Sequence, residues 1–311
     1  MPTFDLSVVG ELNLDLILSG LPPTIELDRE HLAKDLTITL GSSSAIFAHN
    51  FASLGNKVGF SSSIGSDQLG EICLERLGAS GVDLSRVRKF PGKLTGLTVI
   101  LPQEVKRYIL TYPGTMFDMT YEDLDLPYIF SAKHFHLSSY FLHRALRPRI
   151  AELFREAQRA GLTTSLDTND DPEDAWADDL LQVLPYVDVL LPNEQESFRM
   201  SRKNTAEEAA DFLAAKVPLV VIKRGAKGVL ARRGSETFTA LPQKLEAIDS
   251  VGAGDSFDAG FLHKFIRGAA IEECLTYGNL TGALSVTRAG GTEAFRDAQH
   301  RENFLANRGK V

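Results

Sequence analysis

Asp249-Ser-Val-Gly-Ala-Gly-Asp255-Ser-Phe-Asp-Ala-Gly-Phe261 is a loop of small residues that runs directly into a helical pattern. Phe257, Phe261 and Phe265 recur every four residues and so share one helical face. A helix N-terminus presents backbone N–H groups that lack intrahelical partners, at the positive end of the dipole, and such a loop holds anions. A carboxylate at that place repels a phosphate. Asp255 is therefore a poor phosphate ligand and a sensible base beside one. The combination points to phosphoryl transfer to a hydroxyl.

The commoner nucleotide signatures are missing. No glycine-rich stretch ends in Gly-Lys-Ser/Thr, and neither His-Arg-Asp nor Asp-Phe-Gly occurs. A dinucleotide fingerprint also fails, because Phe257 stands where the third glycine after Gly252 and Gly254 belongs.

Outward from this stretch, the second half of the chain alternates strand-like runs with helical ones. Core strands are expected at 134–137, 163–167, 187–191 and Leu219–Lys223, with helices at 147–160 and 206–215. This rhythm predicts a doubly wound, mostly parallel α/β sheet with helices on both faces. The first half differs. A short apolar run at 6–9 reads as a buried strand, and 43–54 as a helix closed by Gly55. Runs at 15–19 and Asp35–Leu40, and a hairpin from 95–101 and 107–112 around the loop 102–106, read as half-buried strands. They predict a small separate β-sheet, built from about 11–42 and 95–113, that acts as a lid on a single domain spanning 1–311.

The 311 residues are 43% hydrophobic and 24% charged, enough material for a large buried core. With 33 basic and 41 acidic residues the net charge is -8, which argues against a nucleic-acid partner. Cys73 and Cys274 suggest buried thiols rather than a disulfide framework. No signal-peptide pattern and no run of about 18 apolar residues is seen, so no membrane association and a cytoplasmic setting are expected. His134 and His136 alternate along an apolar run and read as structural.

The stretch 249–257 resembles the C-terminal signature of the PfkB carbohydrate kinases, the ribokinase family, with Ser250 where that signature has a threonine. The resemblance runs from Gly10 to about Thr292 and implies a ribokinase-like fold. It implies Asp255 as catalytic base, with the amides of Gly252, Ala253 and Gly254 as the anion hole. ATP and Mg2+ are the cofactors it implies, and a monovalent cation is a further candidate. Gly41-Ser-Ser-Ser-Ala-Ile-Phe-Ala48 is similar to the N-terminal signature, but Ser42 replaces a glycine and Ile46 an asparagine where relatives contact the sugar. Ile64-Gly-Ser-Asp67 with Gly70 also resembles the family. Within Gly10-Glu-Leu-Asn-Leu-Asp15, the resemblance assigns sugar hydroxyls to Asp15, with Asn13 beside it.

Asn193-Glu-Gln-Glu196 resembles the Asn-x-x-Glu motif, which makes Asn193 a phosphate-side residue and Glu196 a water-mediated Mg2+ ligand; a helix start with acidic residues reads equally well. Lys223-Arg-Gly225-Ala-Lys-Gly228 resembles a strand end bordering ATP, or is a plain turn. Asn279 is the candidate beside adenine. Asp167-Thr-Asn169-Asp170-Asp171 stands where several relatives carry Asp-Pro-Asn-x-Arg, so Asn169 is a substrate candidate and the arginine that would pair an acidic sugar is replaced. Arg107, beside Lys106 on the hairpin, is one candidate for a substitute cation.

The implied activity is ATP-dependent phosphorylation of a hydroxymethyl group on a neutral sugar or related polyol. A nucleoside kinase of the same family and a catalytically silent nucleotide-binding regulatory protein are the alternatives. A homodimer through the lid is expected.

Overall fold

Short runs of Val, Ile, Leu and Phe separated by turns and helices become strands when each side chain finds cover on its own side of a sheet. In the computed structural model, which describes residues 2–103, 106–176 and 179–308, thirteen such strands are formed among the described residues. In chain order they are β1 (Phe4–Val9), β2 (Asn13–Ser19), β3 (Asp35–Leu40), β4 (Val58–Gly65), β5 (Asp83–Phe90), β6 (Gly96–Gln103), β7 (Lys106–Tyr112), β8 (Ala132–Leu137), β9 (Thr163–Leu166), β10 (Val189–Leu190), β11 (Leu219–Lys223), β12 (Val229–Arg233) and β13 (Glu236–Ala240).

Nine of them make one sheet in the order β13-β12-β11-β10-β9-β8-β1-β4-β5. From β11 to β5 all pairings are parallel; β12 and β13 close one edge as antiparallel strands. Strand β1 has β4 on one side and β8 on the other, so the chain winds outward one way, returns, and winds outward the other way. The carboxyl ends of β1 and β8 flank the resulting crevice, the usual ligand position in an open α/β sheet.

Alternate residues of each strand serve the two faces. On β11, Val220 and Ile222 join the cluster that contains Leu153 and Phe154, while Leu219 and Val221 join the cluster that contains Phe47, Phe51 and Phe261. The helix Ala253–Phe265 covers the second face. Its Phe257, Phe261 and Phe265 rings stack in sequence, with centroids 6.2 and 5.8 Å apart. His134 and His136 lie inside this sheet. Thr163 and Ser165 hydroxyls sit 2.7 Å from His134 nitrogens, and Ser165 is also 2.7 Å from His136 Nδ1. Burial pushes both imidazoles down to about 3.

The remaining strands form a second sheet, β3-β2-β6-β7, with β2 and β6 parallel between two antiparallel neighbours. The hairpin β6–β7 closes at Gln103↔Lys106; the expected loop includes 104 and 105, which lie outside the described residues.

Several boundaries differ from the sequence reading. The strand expected at 187–191 pairs only over Val189–Leu190, and the expected 147–160 helix divides into a 3-10 turn, Arg147–Arg149, and the α-helix Ile150–Arg159. The first strand of the small sheet starts at Asn13, and Glu11 before it accepts from the Ser44 and Ser139 hydroxyls. Strands β4, β5, β12 and β13 are additions to the expected set. Among the described residues, no helix is long and apolar enough to cross a membrane.

Candidate active site

The crevice at the carboxyl edge of the large sheet opens into a cleft of about 1270 Å³, bounded on its other side by the small sheet. Its base is built from strand ends. Glu11 follows β1, Ser139 follows β8, Asp167 follows β9, Asn193 follows β10, and Lys223 ends β11.

The anion loop forms one wall. Asp249 ties it down, accepting from Val251 N at 3.0 Å and from Gly290 N at 2.9 Å. Gly252 adopts φ 71°, and the helix starts at Ala253. A side chain at 252 would be strained, and its Cβ would also stand 2.6 Å from Gly291 Cα. The amides of Ala253 and Gly254 thus open the first helical turn, where backbone donors have no preceding carbonyl to bond. Ala253 N makes only a long contact, 3.4 Å, with Ser250 O.

Asp255 lies in that same turn and is buried. Burial, reinforced by the charge of Asp167, pushes its carboxyl up to about 7, although Lys223 and a Ser43 hydroxyl act to lower it. A carboxylate poised near neutral pH can take a proton from a hydroxyl and release it again.

Asp15 reaches in from β2. Burial, then the charges of Asp255 and Asp249, raise it to about 7 as well, with Arg107 opposing. Gly41 is required beside it, because a Cβ there would lie 2.0 Å from Asp15 Oδ1. Asn13 Nδ2 donates to Leu14 O at 3.2 Å and to Thr98 Oγ1 at 3.4 Å, while its buried Oδ1 has no protein partner. That orphaned acceptor on the cleft wall suits a ligand hydroxyl.

Arg107, on β7, crosses the cleft and donates to Ser250 Oγ at 2.8 Å. Ile17 and Ile100 of the lid pack against Val251. The lid therefore rests on the anion loop itself.

Other expected contacts are arranged differently. The Ser42 hydroxyl donates to Glu11 O at 2.8 Å and accepts from Ala45 N at 3.1 Å, so it caps the helix Ser43–Ser53 while lining the cleft. Its φ of 60° explains why a glycine suits this position. Ile46 is buried against Gly252 and Gly291 and shapes the loop as well as lining the cleft. The Asn169 amide is satisfied within the protein: its oxygen accepts from Ser139 Oγ at 3.0 Å and from Ser43, and its nitrogen donates to the Asp167 carboxylate at 3.2 Å. Asp171 does not face the acceptor space; it accepts from the backbone of Glu173, Ala175 and Trp176, while Asp170 does line the cleft.

Beyond β10, Asn193 and Glu196 form a capping box for the helix Glu194–Ser201. Burial and the Asp167 charge push the Glu196 carboxyl up to about 8. Among the described residues no group of three or more His, Cys, Asp or Glu side chains is gathered to hold a metal. Gly225 and Gly228 have φ of 54° and 83° in the β11–β12 turn. A Cβ at 225 meets nothing within 4 Å, which leaves that backbone open to the cleft, whereas one at 228 would stand 2.2 Å from Ala240 O. Lys223, expected to border ATP, instead turns its ammonium into ion pairs with Asp167 and Asp258. Asn279 lines the cleft, but its amide donates to Ala240 O and Leu241 O at 3.2 and 2.8 Å, holding the strand that shapes the pocket.

Glu11 and Asp258 were not singled out from the sequence. Glu11 accepts from Ser44 Oγ at 2.6 Å and Ser139 Oγ at 2.7 Å, which fixes the loop beside Ser43. Its position directly after Gly10 at a strand end was the available signal.

A nine-stranded, mostly parallel sheet beside a small four-stranded sheet is an arrangement shared with known proteins. The model of the pfkB family carbohydrate kinases covers residues 3–298. This chain belongs to the pfkB family. It is similar to ribokinase of Haemophilus influenzae, 26% identical over 96% of this chain and 98% of that protein. It is 29% identical to 2-dehydro-3-deoxygluconokinase of Bacillus subtilis, over 83% and 84% of the two chains. It is 30% identical to cytidine kinase of Thermococcus kodakarensis, over 88% and 93%. An E. coli protein designated ribokinase II, solved in complex with ATP and Mg2+, superposes with a TM-score of 0.86–0.85 in its apo and bound forms, at 25% identity over 97% of this chain and 99% of that one. The fold is ribokinase-like, and the enzyme is an ATP-dependent sugar or nucleoside kinase of the pfkB family.

Proposed function

We propose that this pfkB kinase transfers the γ-phosphoryl group of ATP to a hydroxymethyl group of a neutral sugar or related polyol, with Asp255 as the base. The observation that carries the reading is Asp255 itself, a buried carboxyl pushed up to about 7 within the turn that opens the anion loop. Asp255 accepts the hydroxyl proton as the oxygen bonds to phosphorus and the bond to the bridging oxygen of ADP breaks. The amides of Gly252, Ala253 and Gly254 stabilise charge on the transferred group. Asp15 and Asn13 hold neighbouring hydroxyls, and the lid excludes water that would otherwise compete as acceptor.

The cleft fits a triphosphate and a hydrated Mg2+. The open backbone at Gly225 and the first-turn amides suit phosphates, and Glu196 and Asp170 bring carboxylates to the cleft lining. Magnesium keeps several waters, so Glu196 would hold it through one of them. When bound it would neutralise charge on the phosphates.

A second reading is favoured by one feature. Ile46, Ile100, Ile109, Met116 and Leu142 give the acceptor end an apolar wall that suits a nucleobase. A coupled ADP-release assay across neutral sugars, sugar acids, sugar phosphates and nucleosides tests both. Turnover of neutral sugars supports the first reading; turnover confined to nucleosides supports the second, and turnover of anionic acceptors alone overturns both.

A homodimer through the lid is part of the proposal. The register puts Leu16, Leu18, Leu36, Ile38, Val99, Leu101, Tyr108, Leu110 and Tyr112 on the outer face of the small sheet. Leu36, Tyr108, Leu110 and Tyr112 are each more than half exposed. A contiguous apolar sheet face of this kind suits cover by a second copy.

A further inference from the structure

Three charged side chains meet beneath the anion loop. The Lys223 ammonium lies 2.7 Å from Asp167 Oδ2 and 2.9 and 3.2 Å from the two carboxylate oxygens of Asp258. The side chain of Lys223 is 12% exposed, and those of Asp167 and Asp258 are 3% and 1% exposed. The three arrive from the end of β9, the end of β11 and the helix Ala253–Phe265. Asp258 follows Asp255 by three residues, so both carboxylates lie on one side of that helix, about a turn apart. The ammonium also stands 3.5 Å from where a Cβ on Gly254 would be, which brings it against the first turn.

An ion cluster in the interior is weak evidence for stability, because desolvation offsets the attraction between the charges. Its position beside the base suggests another use. We propose that Lys223 is a positioning residue for phosphoryl transfer: a built-in cation, anchored by Asp167 and Asp258, that offsets the carboxylates crowded around Asp255 and keeps the base ready to accept a proton. The inference rests on the reading of Asp255 as the base.

The surrounding charges act in the required directions. Burial and Asp167 raise the proton affinity of Asp255, Lys223 and the Ser43 hydroxyl lower it, and Glu11 adds a smaller upward push. From the lid, Asp15 faces Asp255, and Arg107 bears on Asp15. Lys223 stays charged: burial lowers its proton affinity, but Asp167 and Asp258 more than offset that. Against its own burial, Asp167 is held below the ordinary range chiefly by Lys223 and so remains ionised. Burial raises Asp258 well above its ordinary value despite Lys223, and Asp167 adds to the rise. Lys223 and Asp167 therefore oppose each other at Asp255, and removing either should move the base in a different direction.

The test is the pH profile of kcat/KM in the ADP-release assay for the wild type, K223M, D167N, the double variant and D255N. The acid limb of K223M is expected to move up by about one pH unit and that of D167N down by a similar amount, since a neighbouring charge shifts a carboxyl by roughly 1–3 units. The double variant is expected to return toward the wild type. Limbs that stay in place, or move in the same direction, overturn the proposal. So does a higher KM for ATP in K223M with an unmoved limb, which would make Lys223 a phosphate ligand. If K223M does not fold, D167N decides alone: a downward shift supports the proposal and an unmoved limb overturns it. Near-normal turnover by D255N would overturn the reading of the base itself. Loss of turnover in D255N with unmoved limbs overturns only the role of Lys223.

Discussion

The two sheets dispose of their side chains by different rules. The large sheet is covered on both faces, and strands such as β1 and β11 are buried almost throughout. The small sheet has one face toward the cleft, carrying Asp15, Thr98, Thr111 and Arg107, and one outer face of Leu, Ile, Val and Tyr. Charges placed at the edge of the thick sheet sit in a low-dielectric setting and have their proton affinities displaced, as Asp255 and Asp167 do. A thin sheet cannot bury both its faces by itself. It depends on the cleft contents on one side and on a further cover on the other. The difference is one of cover: the large sheet is closed on both faces by its own chain, while the small sheet keeps an exposed apolar outer face.

The largest expected effect is at the core edge. Asp255→Asn should lower kcat by roughly a hundredfold or more while leaving ATP affinity nearly unchanged, as for removal of a general base. Steady-state kinetics with a separate nucleotide-binding measurement check this, and near-normal kcat would move the chemistry elsewhere. Directly after β3, Gly41→Ala forces a Cβ to within 2.0 Å of Asp15 Oδ1 unless one of them moves. Displacing a charged hydrogen-bonding group should raise the acceptor KM by roughly tenfold or more, with a smaller change in kcat. An unchanged KM would take Asp15 out of recognition.

Acceptor charge comes next. Asp15, Asp170 and Asp255 line the cleft, and a unit charge at 4 Å from another costs about 1 kcal/mol in water and more when desolvated. Neutral acceptors should therefore be preferred by about tenfold in kcat/KM. The Bacillus relative named for a sugar acid makes the comparison sharp. A tenfold preference for an anionic acceptor would mean that Arg107 leaves Ser250 to bind it. In the lid, Leu36→Lys with Leu110→Lys should convert a dimer at micromolar concentration into a monomer, halving the mass seen by light scattering, with the fold intact by circular dichroism. A wild type that is already monomeric would leave the outer face without the proposed cover.

The smallest effect is thermal. Asp15 and Asp255 have folded-state pKa values raised to about 7 from an ordinary 3.8. The folded state therefore holds their protons more tightly, and the stability this contributes is lost as pH rises from about 4 through about 7. Asp15→Asn should accordingly raise Tm at pH 8 by a few degrees, roughly 2–4 °C for each kcal/mol relieved in a chain of this size. The gain should shrink as pH falls toward 5. A gain that is constant with pH would point to packing instead of charge.

The loop and helix that carry the candidate site were legible because their signals are local: small residues lead into the helix at Ala253, and Asp255 belongs to its first turn. The lid strands were legible through their alternation. Strand β4 was not, because its Ser61-Ser62-Ser63 run is polar yet wholly buried, and no periodicity marks it. Strand β5 was missed for the opposite reason: it is a charged edge strand whose order comes from pairing with β4. The lysine of the β11 turn looked like a nucleotide contact because its two carboxylate partners lie 56 and 35 residues away. Ser42 and Asn169 looked like sugar contacts because a hydroxyl or amide at a strand end is chemically able to be one. Whether neighbouring backbone groups and side chains already satisfy it is invisible in the sequence.

By itself the sequence determined the alternation that makes the sheet, the helix start that makes the anion loop, and the family of the enzyme, since these depend on residues close together in the chain. Only the tertiary structure decided which charges meet. It brought Lys223 between Asp167 and Asp258, set Asp15 against Gly41, and laid Arg107 across to Ser250. Coulomb and desolvation energies depend on distance in space and on burial, and neither quantity is a property of sequence order.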